Sequence, residues 1–179
     1  MENTKTVLVL GATGGIGGEM LRQLLAAGWQ VRALTRGATP SPRGDGIEWL
    51  RGDALSRADV LAAAKGCAVI VHAVNPPGYR NWGQLVLPML HNTIAAAIAE
   101  GATIVLPGTV YNFGPDAFPL LAEDAPQRPL TRKGAIRVEL EARLERASTQ
   151  GARVLIVRAG DFFGPRAGNN WFSQGLVKP

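Results

Sequence analysis

Cysteine is nearly absent from this sequence of 179 residues, which contains only Cys67. One thiol cannot form a disulfide within the chain, so no internal cross-link contributes to the fold. An apolar run at residues 68–71 follows the cysteine, and this neighbourhood predicts a small buried side chain. We therefore expect a protein of a reducing compartment, the cytoplasm.

Long hydrophobic runs and dense basic runs are also missing. No apolar stretch reaches the roughly 20 residues that a membrane-spanning helix needs, and the N-terminus lacks the basic-then-apolar layout of a signal peptide. The formal net charge is +5, but the Lys and Arg residues are scattered and not interleaved with aromatic residues. The sequence predicts a soluble cytoplasmic protein with neither a membrane nor a nucleic acid as partner. Its positive charge suits a polyphosphate ligand.

The sequence does contain an alternation of short apolar runs and helical patterns. Strand-length apolar runs separated by helices pair as parallel neighbours through right-handed crossovers. The sequence thus predicts an α/β fold, a doubly wound, mostly parallel (Rossmann) sheet with helices on both faces. Predicted strands lie at 6–10, 31–34, 47–50, 68–73, 103–106 and 153–157, and predicted helices at 14–27, 56–65, 85–100 and 132–150.

A glycine motif lies between the first predicted strand and the first predicted helix. Gly11, Gly14 and Gly17 allow a sharp turn, a close approach of backbone N–H groups to a pyrophosphate, and tight packing of the helix on the strand. The helix N-terminus adds N–H donors and a partial positive charge. We interpret the motif as a dinucleotide-binding loop, with contacts also from Thr13, Gly15 and Ile16. The alternative is a tight turn without a ligand.

The end of the second predicted strand bears on the choice between NAD and NADP. An NAD site places a carboxylate on the ribose 2′-OH there, whereas an NADP site offers a cation to the 2′-phosphate. This strand ends in Thr35 and Arg36, with Arg43 further along the loop. The sequence therefore predicts NADP (or NAD) as cofactor, held by the Thr35 hydroxyl and the Arg36 guanidinium. An ordinary surface arginine is the alternative.

Two further strand ends are predicted to contact the cofactor. Asp53, with Ala54 after it, either accepts a hydrogen bond from the adenine amino group or caps the turn before the next helix. Residues Ala73, Val74 and Asn75 end the fourth strand and should lie over the crevice where ligands bind in open α/β sheets. For His72 in the same strand we expect a packed, hydrogen-bonded histidine.

Together these segments resemble the extended and atypical short-chain dehydrogenase/reductase superfamily, which includes NAD(P)-dependent epimerases and dehydratases. The resemblance rests on the glycine motif, Gly52-Asp53, His72-Ala73, Val110-Tyr111 and residues 158–165. It implies one dinucleotide-binding domain over residues 1–179, with a Rossmann core at 1–157, an irregular tail at 158–179, and a substrate domain that is truncated or absent. It also implies a small-molecule substrate of unidentified class, with a homodimer as an open alternative.

The resemblance fails at the catalytic pair. Members of the superfamily use a Tyr-x-x-x-Lys pair for proton transfer, and alignment through Val138-Glu139 places Thr131 and Ala135 at those two positions. The expected serine falls near Pro107, with Thr109 two residues on. Lys133 and Arg132 lie close to the region of the pair, where the alternatives are a cation that serves the site and a solvated charge in the first helical turn, and we favour the solvated charge. Neither tyrosine has a lysine four residues later, because Gly83 follows Tyr79 and Pro115 follows Tyr111 at that spacing.

Two functions follow from this departure. The first is an NAD(P)-binding oxidoreductase or epimerase-like protein of the atypical class that prefers NADP, with Tyr111 or a residue after Pro179 replacing the absent pair. The second is a non-catalytic NADP-binding sensor or regulator.

Overall fold

The computed structural model describes residues 5–37, 46–76, 81–118 and 120–160. Its strands are β1 (Thr6–Leu10), β2 (Gln30–Thr35), β3 (Ile47–Arg51), β4 (Val69–His72), β5 (Thr103–Thr109) and β6 (Arg153–Ala159). Its helices are α1 (Gly15–Ala26), α2 (Arg57–Ala64), α3 (Trp82–Glu100) and α4 (Arg132–Ser148), with a short 3-10 turn at Pro115–Ala117.

The six strands form one sheet in the order β3-β2-β1-β4-β5-β6. Every neighbouring pair is parallel, which confirms the predicted doubly wound α/β fold. The strand order reverses between β1 and β4, and ligands of such sheets bind beyond the carboxyl ends of the strands at this switch point. The fold therefore points to the loops after β1 and β4.

Helices cover both faces of the sheet, as predicted. The alternation of side chains along β1 sends Leu8 and Leu10 into a core beneath α2, α3 and α4, which contribute Val60, Leu90 and Leu144. The other face of β1 packs against α1, and this second core contains Val7, Val9, Leu21, Val31 and Val71.

Helix ends follow the predicted capping signals. The Ser56 hydroxyl accepts a hydrogen bond from the Asp59 amide at 3.3 Å, as an N-cap residue does. Gly101 ends α3 in the left-handed conformation, with φ of 60°. Cys67 is buried, as predicted, and burial raises the pKa of its thiol.

Strands β2 and β3 each continue one residue beyond their predicted ends, and two other strands continue further. We predicted that the fifth strand would stop at residue 106, before Pro107, but β5 runs to Thr109 and pairs with β6 along its whole length. Proline is tolerated because β4 pairs with β5 only as far as Val105, so one side of β5 is free of ladder bonds there. The same pairing carries β6 to Ala159, two residues past the predicted core boundary at 157.

The helix bounds differ by one to three residues from the predicted ones. Helix α3 starts at Trp82 rather than at 85, α4 ends at Ser148 rather than at 150, and α1 starts one residue after Gly14. Residues 161–179, which include most of the predicted irregular tail, lie outside the described residues. Among the helices described, none is long and apolar enough to cross a membrane.

The core on the α4 face should dominate stability. Leu144 is fully buried, whereas Leu130 is 80% exposed. Leu144→Ala should lower the free energy of unfolding by about 2–5 kcal/mol, because it removes buried apolar contacts and leaves a cavity. Leu130→Ala, the matched control, should change it by less than about 0.5 kcal/mol. Urea unfolding measures both, and equal effects would contradict this description of the core.

Candidate dinucleotide-binding site

Two glycines of the motif are required by the fold itself. Gly11 has a positive φ of 87°, and a Cβ there would lie 2.5 Å from the Ala73 carbonyl oxygen. A Cβ on Gly17 would lie 2.2 Å from the Gly11 carbonyl oxygen. These distances are shorter than any real Cβ contact, so both positions need glycine to bring β1, α1 and the chain after β4 together. The tight-turn interpretation thus accounts for Gly11 and Gly17.

The middle of the loop is different, because it faces open space. A Cβ on Gly15 would meet nothing within 4 Å, and one on Gly14 would meet only the Gly11 carbonyl oxygen at 3.3 Å. Thr13, Gly14 and Gly15 are exposed, as is 36% of the Ile16 side chain. The turn alone does not explain two adjacent glycines at this point.

The same open space adjoins the N-terminus of α1. Gly14 is the N-cap residue and offers no side-chain cap, and the first turn contains no acidic residue. The first intrahelical bond joins the Gly18 amide to the Gly14 carbonyl at 2.8 Å, so the amides of residues 15–17 precede the helical ladder. Uncapped N–H donors and an uncompensated helix dipole fit the pyrophosphate of a dinucleotide.

The end of β2 lies beside this loop in the sheet. Thr35 is partly buried, and its Oγ accepts a hydrogen bond from the Gly37 amide at 3.3 Å, which leaves its proton available for a ligand. Arg36 is exposed, and within the described ranges no carboxylate pairs with it. Arg43 lies outside the described residues. The Arg36 guanidinium thus has the exposure that a contact to a 2′-phosphate requires.

Asp53 makes the local contact that one of its two predicted roles requires. Its Oδ1 accepts from the Leu55 amide at 3.0 Å, and its own amide donates to Asp59 Oδ2 at 2.9 Å. Ala54 is buried, and its carbonyl accepts from the Asn92 side chain at 2.9 Å. These bonds fix the turn before α2. The contact of Asp53 and Ala54 with adenine stays a prediction.

His72 is packed and hydrogen-bonded, as predicted. It is 4% exposed, and its Nδ1 lies 2.8 Å from Thr93 Oγ1. Because the Thr93 hydroxyl donates to the Met89 carbonyl at 3.2 Å, it accepts from His72, which places a proton on Nδ1. Burial, and secondly the positive charge of Arg137, lower the pKa of His72 to about 4.

The chain after β4 forms the other wall of the crevice. The Ala73 backbone abuts Gly11, and the Ala73 amide donates to the Leu10 carbonyl at 3.0 Å. Val74 is partly buried and Asn75 is exposed. The Asn75 Oδ1 accepts from the Trp82 indole at 2.6 Å, so the Asn75 amide group keeps donors for a ligand.

The structure places Thr131 and Ala135, the two positions aligned with the family's catalytic pair, at the start of α4. Thr131 is the N-cap of α4, where its hydroxyl accepts from the Gly134 amide at 3.0 Å, and both residues are exposed. The inward face of α4 instead carries Lys133 and Arg137. Lys133 was expected to be solvated, but it is partly buried with its Nζ 4.6 Å from the centroid of the Tyr111 ring. The neighbouring Arg132 is exposed, as expected.

A polar network that the sequence did not reveal fixes the loop after β5. The Arg158 guanidinium binds the Glu141 carboxylate through two bonds of 2.7 and 2.6 Å and donates to the Thr109 carbonyl at 3.2 Å. Gln127 links Glu141 to Asn112 through bonds of 2.9 Å each. Asn112, which is fully buried, accepts from the Thr109 hydroxyl at 3.3 Å. Strand β6, α4 and the loop therefore hold one another in place.

Comparisons with known proteins identify the domain. A family model described as NAD(P)H-binding matches residues 11–166. The chain belongs to this NAD(P)H-binding family. The match begins at the first glycine of the motif and includes both walls of the crevice.

Individual relatives agree with this assignment. A 3-diazoavenalumate denitrifying reductase of Streptomyces sp is 32% identical over 178 residues, which covers 90% of this chain and 58% of the relative. The solved Bordetella bronchiseptica enzyme WbmG in complex with NAD is 20% identical, with a TM-score of 0.76 over 93% of this chain and 56% of that one. UDP-N-acetylglucosamine 4-epimerase from Bacillus cereus is 17% identical, with a TM-score of 0.74 over 87% and 60%.

These structural likenesses confirm the fold, and the family match confirms an NAD(P)-binding domain, as the resemblance to short-chain dehydrogenases implied. The chain spans less than two thirds of the length of each of these three relatives. In the described part of the chain, no cluster of His, Cys, Asp and Glu residues could hold a metal ion.

The buried neutral state of His72 predicts a pH dependence of stability. Its pKa in the folded state, about 4, lies below the ordinary value of 6.5, so the unfolded chain binds the proton more readily and acid favours unfolding. The contribution should be fully present above pH 6.5 and should fall by about 3 kcal/mol as the pH reaches 4.

Urea unfolding between pH 7 and 4 tests this against His72→Gln, which should lose that part of the pH dependence. His91, the second histidine, is exposed, and His91→Gln serves as the control. A pH dependence unchanged in His72→Gln would contradict the assignment.

Proposed function

We propose that the protein is an NADPH-dependent oxidoreductase whose glycine loop binds the cofactor pyrophosphate and whose Arg36 binds the 2′-phosphate. The observation that carries the proposal is the open, uncapped and acid-free start of α1 at Gly14 and Gly15. The bound cofactor would supply a hydride to a small-molecule substrate, or accept one from it.

Each predicted contact has a physical role in this proposal. The amides of residues 15–17 donate to the pyrophosphate, and Thr13 borders them. Arg36 neutralises the 2′-phosphate, with the Thr35 hydroxyl beside it. The Ala73 and Val74 backbone and the Asn75 amide line the wall toward the nicotinamide, while Asp53 and Ala54 adjoin the adenine.

Catalysis is favoured over the sensor function by the relatives. The reductase of Streptomyces and the epimerase of Bacillus are enzymes by name, and no feature of the described residues favours a regulator. The chain is expected to work in the cytoplasm on a small-molecule substrate, and a homodimer remains a prediction.

Gly15 offers a test that separates ligand binding from the tight turn. Because a Cβ at Gly15 meets nothing within 4 Å, Gly15→Glu fits the fold, and its carboxylate should stabilise the helix N-terminus by about 0.3–1 kcal/mol. The same carboxylate would repel the pyrophosphate. We expect the Kd of both NADPH and NADH to rise at least tenfold without a loss in thermal stability.

The control is Gly17→Ala, whose Cβ would lie 2.2 Å from the Gly11 carbonyl oxygen and should destabilise the fold. Fluorescence titration of the cofactor and thermal unfolding report the two effects separately. Unchanged dinucleotide affinity in Gly15→Glu would refute the proposed site.

Arg36 tests the preference for NADPH. Arg36→Ala should raise the Kd of NADPH about 10- to 100-fold, because a charge-assisted hydrogen bond to the phosphate contributes about 1.5–3 kcal/mol. The Kd of NADH, which lacks the phosphate, should change less than threefold. Lys5→Ala removes an exposed cation at the amino end of β1, away from the carboxyl ends of the strands. It should change the Kd of neither dinucleotide. Equal losses for both dinucleotides would remove Arg36 from the site.

A further inference from the structure

An exposed tyrosine follows β5, directly before three buried residues of the same loop. Tyr111 is 45% exposed, whereas the next two residues, Asn112 and Phe113, are buried. It lies two residues after the end of β5, at the carboxyl edge of the sheet where the crevice is. Among the described residues, nothing hydrogen-bonds to its hydroxyl group. An exposed aromatic ring with a free hydroxyl at this edge is available to a substrate.

The backbone of Tyr111 is nevertheless held from two sides. On one side, Asn112 belongs to the buried network that ends at Arg158. On the other, the first turn of α4 abuts the tyrosine, because a Cβ on Gly134 would lie 2.3 Å from the Tyr111 carbonyl oxygen. The phenol therefore extends from a fixed backbone. A side chain that must contact a reacting atom needs such a fixed position.

Lys133 adds a positive charge to this phenol. Its Nζ lies 4.6 Å from the centroid of the Tyr111 ring, within the range of an attractive cation–π contact. One helical turn further along the same face, the Arg137 guanidinium lies 5.2 Å from the centroid of the Trp82 ring. The inward face of α4 thus places two cations beside aromatic rings, and Lys133 is the one next to Tyr111.

We propose that Tyr111 donates the proton to the substrate oxygen during carbonyl reduction and that Lys133 stabilises the negative charge formed there. This inference rests on the proposed hydride transfer. The carbonyl carbon receives a hydride from the reduced nicotinamide, and the π-electron pair moves to the carbonyl oxygen. That oxygen takes the phenolic proton as the O–H bond of Tyr111 breaks. The products are the alcohol, the oxidised nicotinamide and a tyrosinate, which recovers a proton from water.

Turnover tests the role of Lys133. Lys133→Met should lower kcat/KM for carbonyl reduction and leave the Kd of NADPH within twofold of wild type. Arg132→Met removes a charge from the same helical turn and should leave both quantities unchanged. Equal kcat/KM values in Lys133→Met and Arg132→Met would overturn the role of Lys133.

Turnover tests the proton transfer itself. Tyr111→Phe keeps the ring and removes only the hydroxyl, so the Kd of NADPH should stay within twofold of wild type. With 4-nitrobenzaldehyde, kcat/KM should fall about 10²- to 10⁴-fold. The loss should be smaller with 9,10-phenanthrenequinone, whose reduced oxygen is less basic and needs less protonation in the transition state. Lys133→Arg should retain more activity than Lys133→Met.

The results that would contradict this inference differ from those that would refute the proposed function. An equal loss with both carbonyls would indicate a structural role for the hydroxyl and overturn the inference, as would full activity in Tyr111→Phe. A wild-type protein that binds NADPH but reduces neither compound would contradict the proton-donor role and leave the cofactor site intact. Failure to bind NADPH would instead refute the proposed function.

Discussion

The close approach of two backbones, at Gly11 and Ala73, is the constraint on which the rest of the structure depends. A Cβ on Gly11 would lie 2.5 Å from the Ala73 carbonyl oxygen, so the loop after β1 and the chain after β4 meet with no side chain between them. Because β1 and β4 flank the point where the strand order reverses, this contact sets the floor of the crevice. Gly17 has a similar role where α1 packs against the loop, because a Cβ there would lie 2.2 Å from the Gly11 carbonyl oxygen.

The same packing leaves open space beside Gly14 and Gly15. Gly14 and Gly15 are not needed to avoid clashes of this severity, yet they expose the first amides of α1. The fold thus combines two kinds of glycine within one short motif, two that close packing requires and two that border open space. On the opposite side of the crevice, the network from Thr109 to Arg158 fixes the loop that carries the exposed Tyr111.

The fold and the cofactor loop could be predicted from the sequence because their signals are local. Six apolar runs, the spacing of three glycines and the caps at Ser56 and Gly101 each act within a few residues. The strand ends were less predictable, because the length of β5 depends on how far β4 and β6 each pair with it. The sequence alone suggests that Pro107 ends the strand. Proline is tolerated there because β4 pairs with β5 only as far as Val105.

The contacts of the opposite wall could not be predicted, because they join residues that are distant in the sequence. Lys133 and Tyr111 are brought together by the path of the intervening loop, which no local pattern encodes. One signal was present, since Leu140 and Leu144 are the buried positions of α4 and helical spacing from them puts Lys133 and Arg137 on the inward side. The same spacing sends Thr131 and Ala135 outward, where the structure has them.

The central claim, that the start of α1 holds the phosphates of a dinucleotide, is tested most directly by amide chemical shifts during a titration with NADPH. We predict that the amide resonances of Gly15, Ile16 and Gly17 show the largest saturable shifts, because these N–H groups precede the helical ladder and would donate to the pyrophosphate. Saturable binding that leaves these three amides unshifted, or no binding at all, would contradict it.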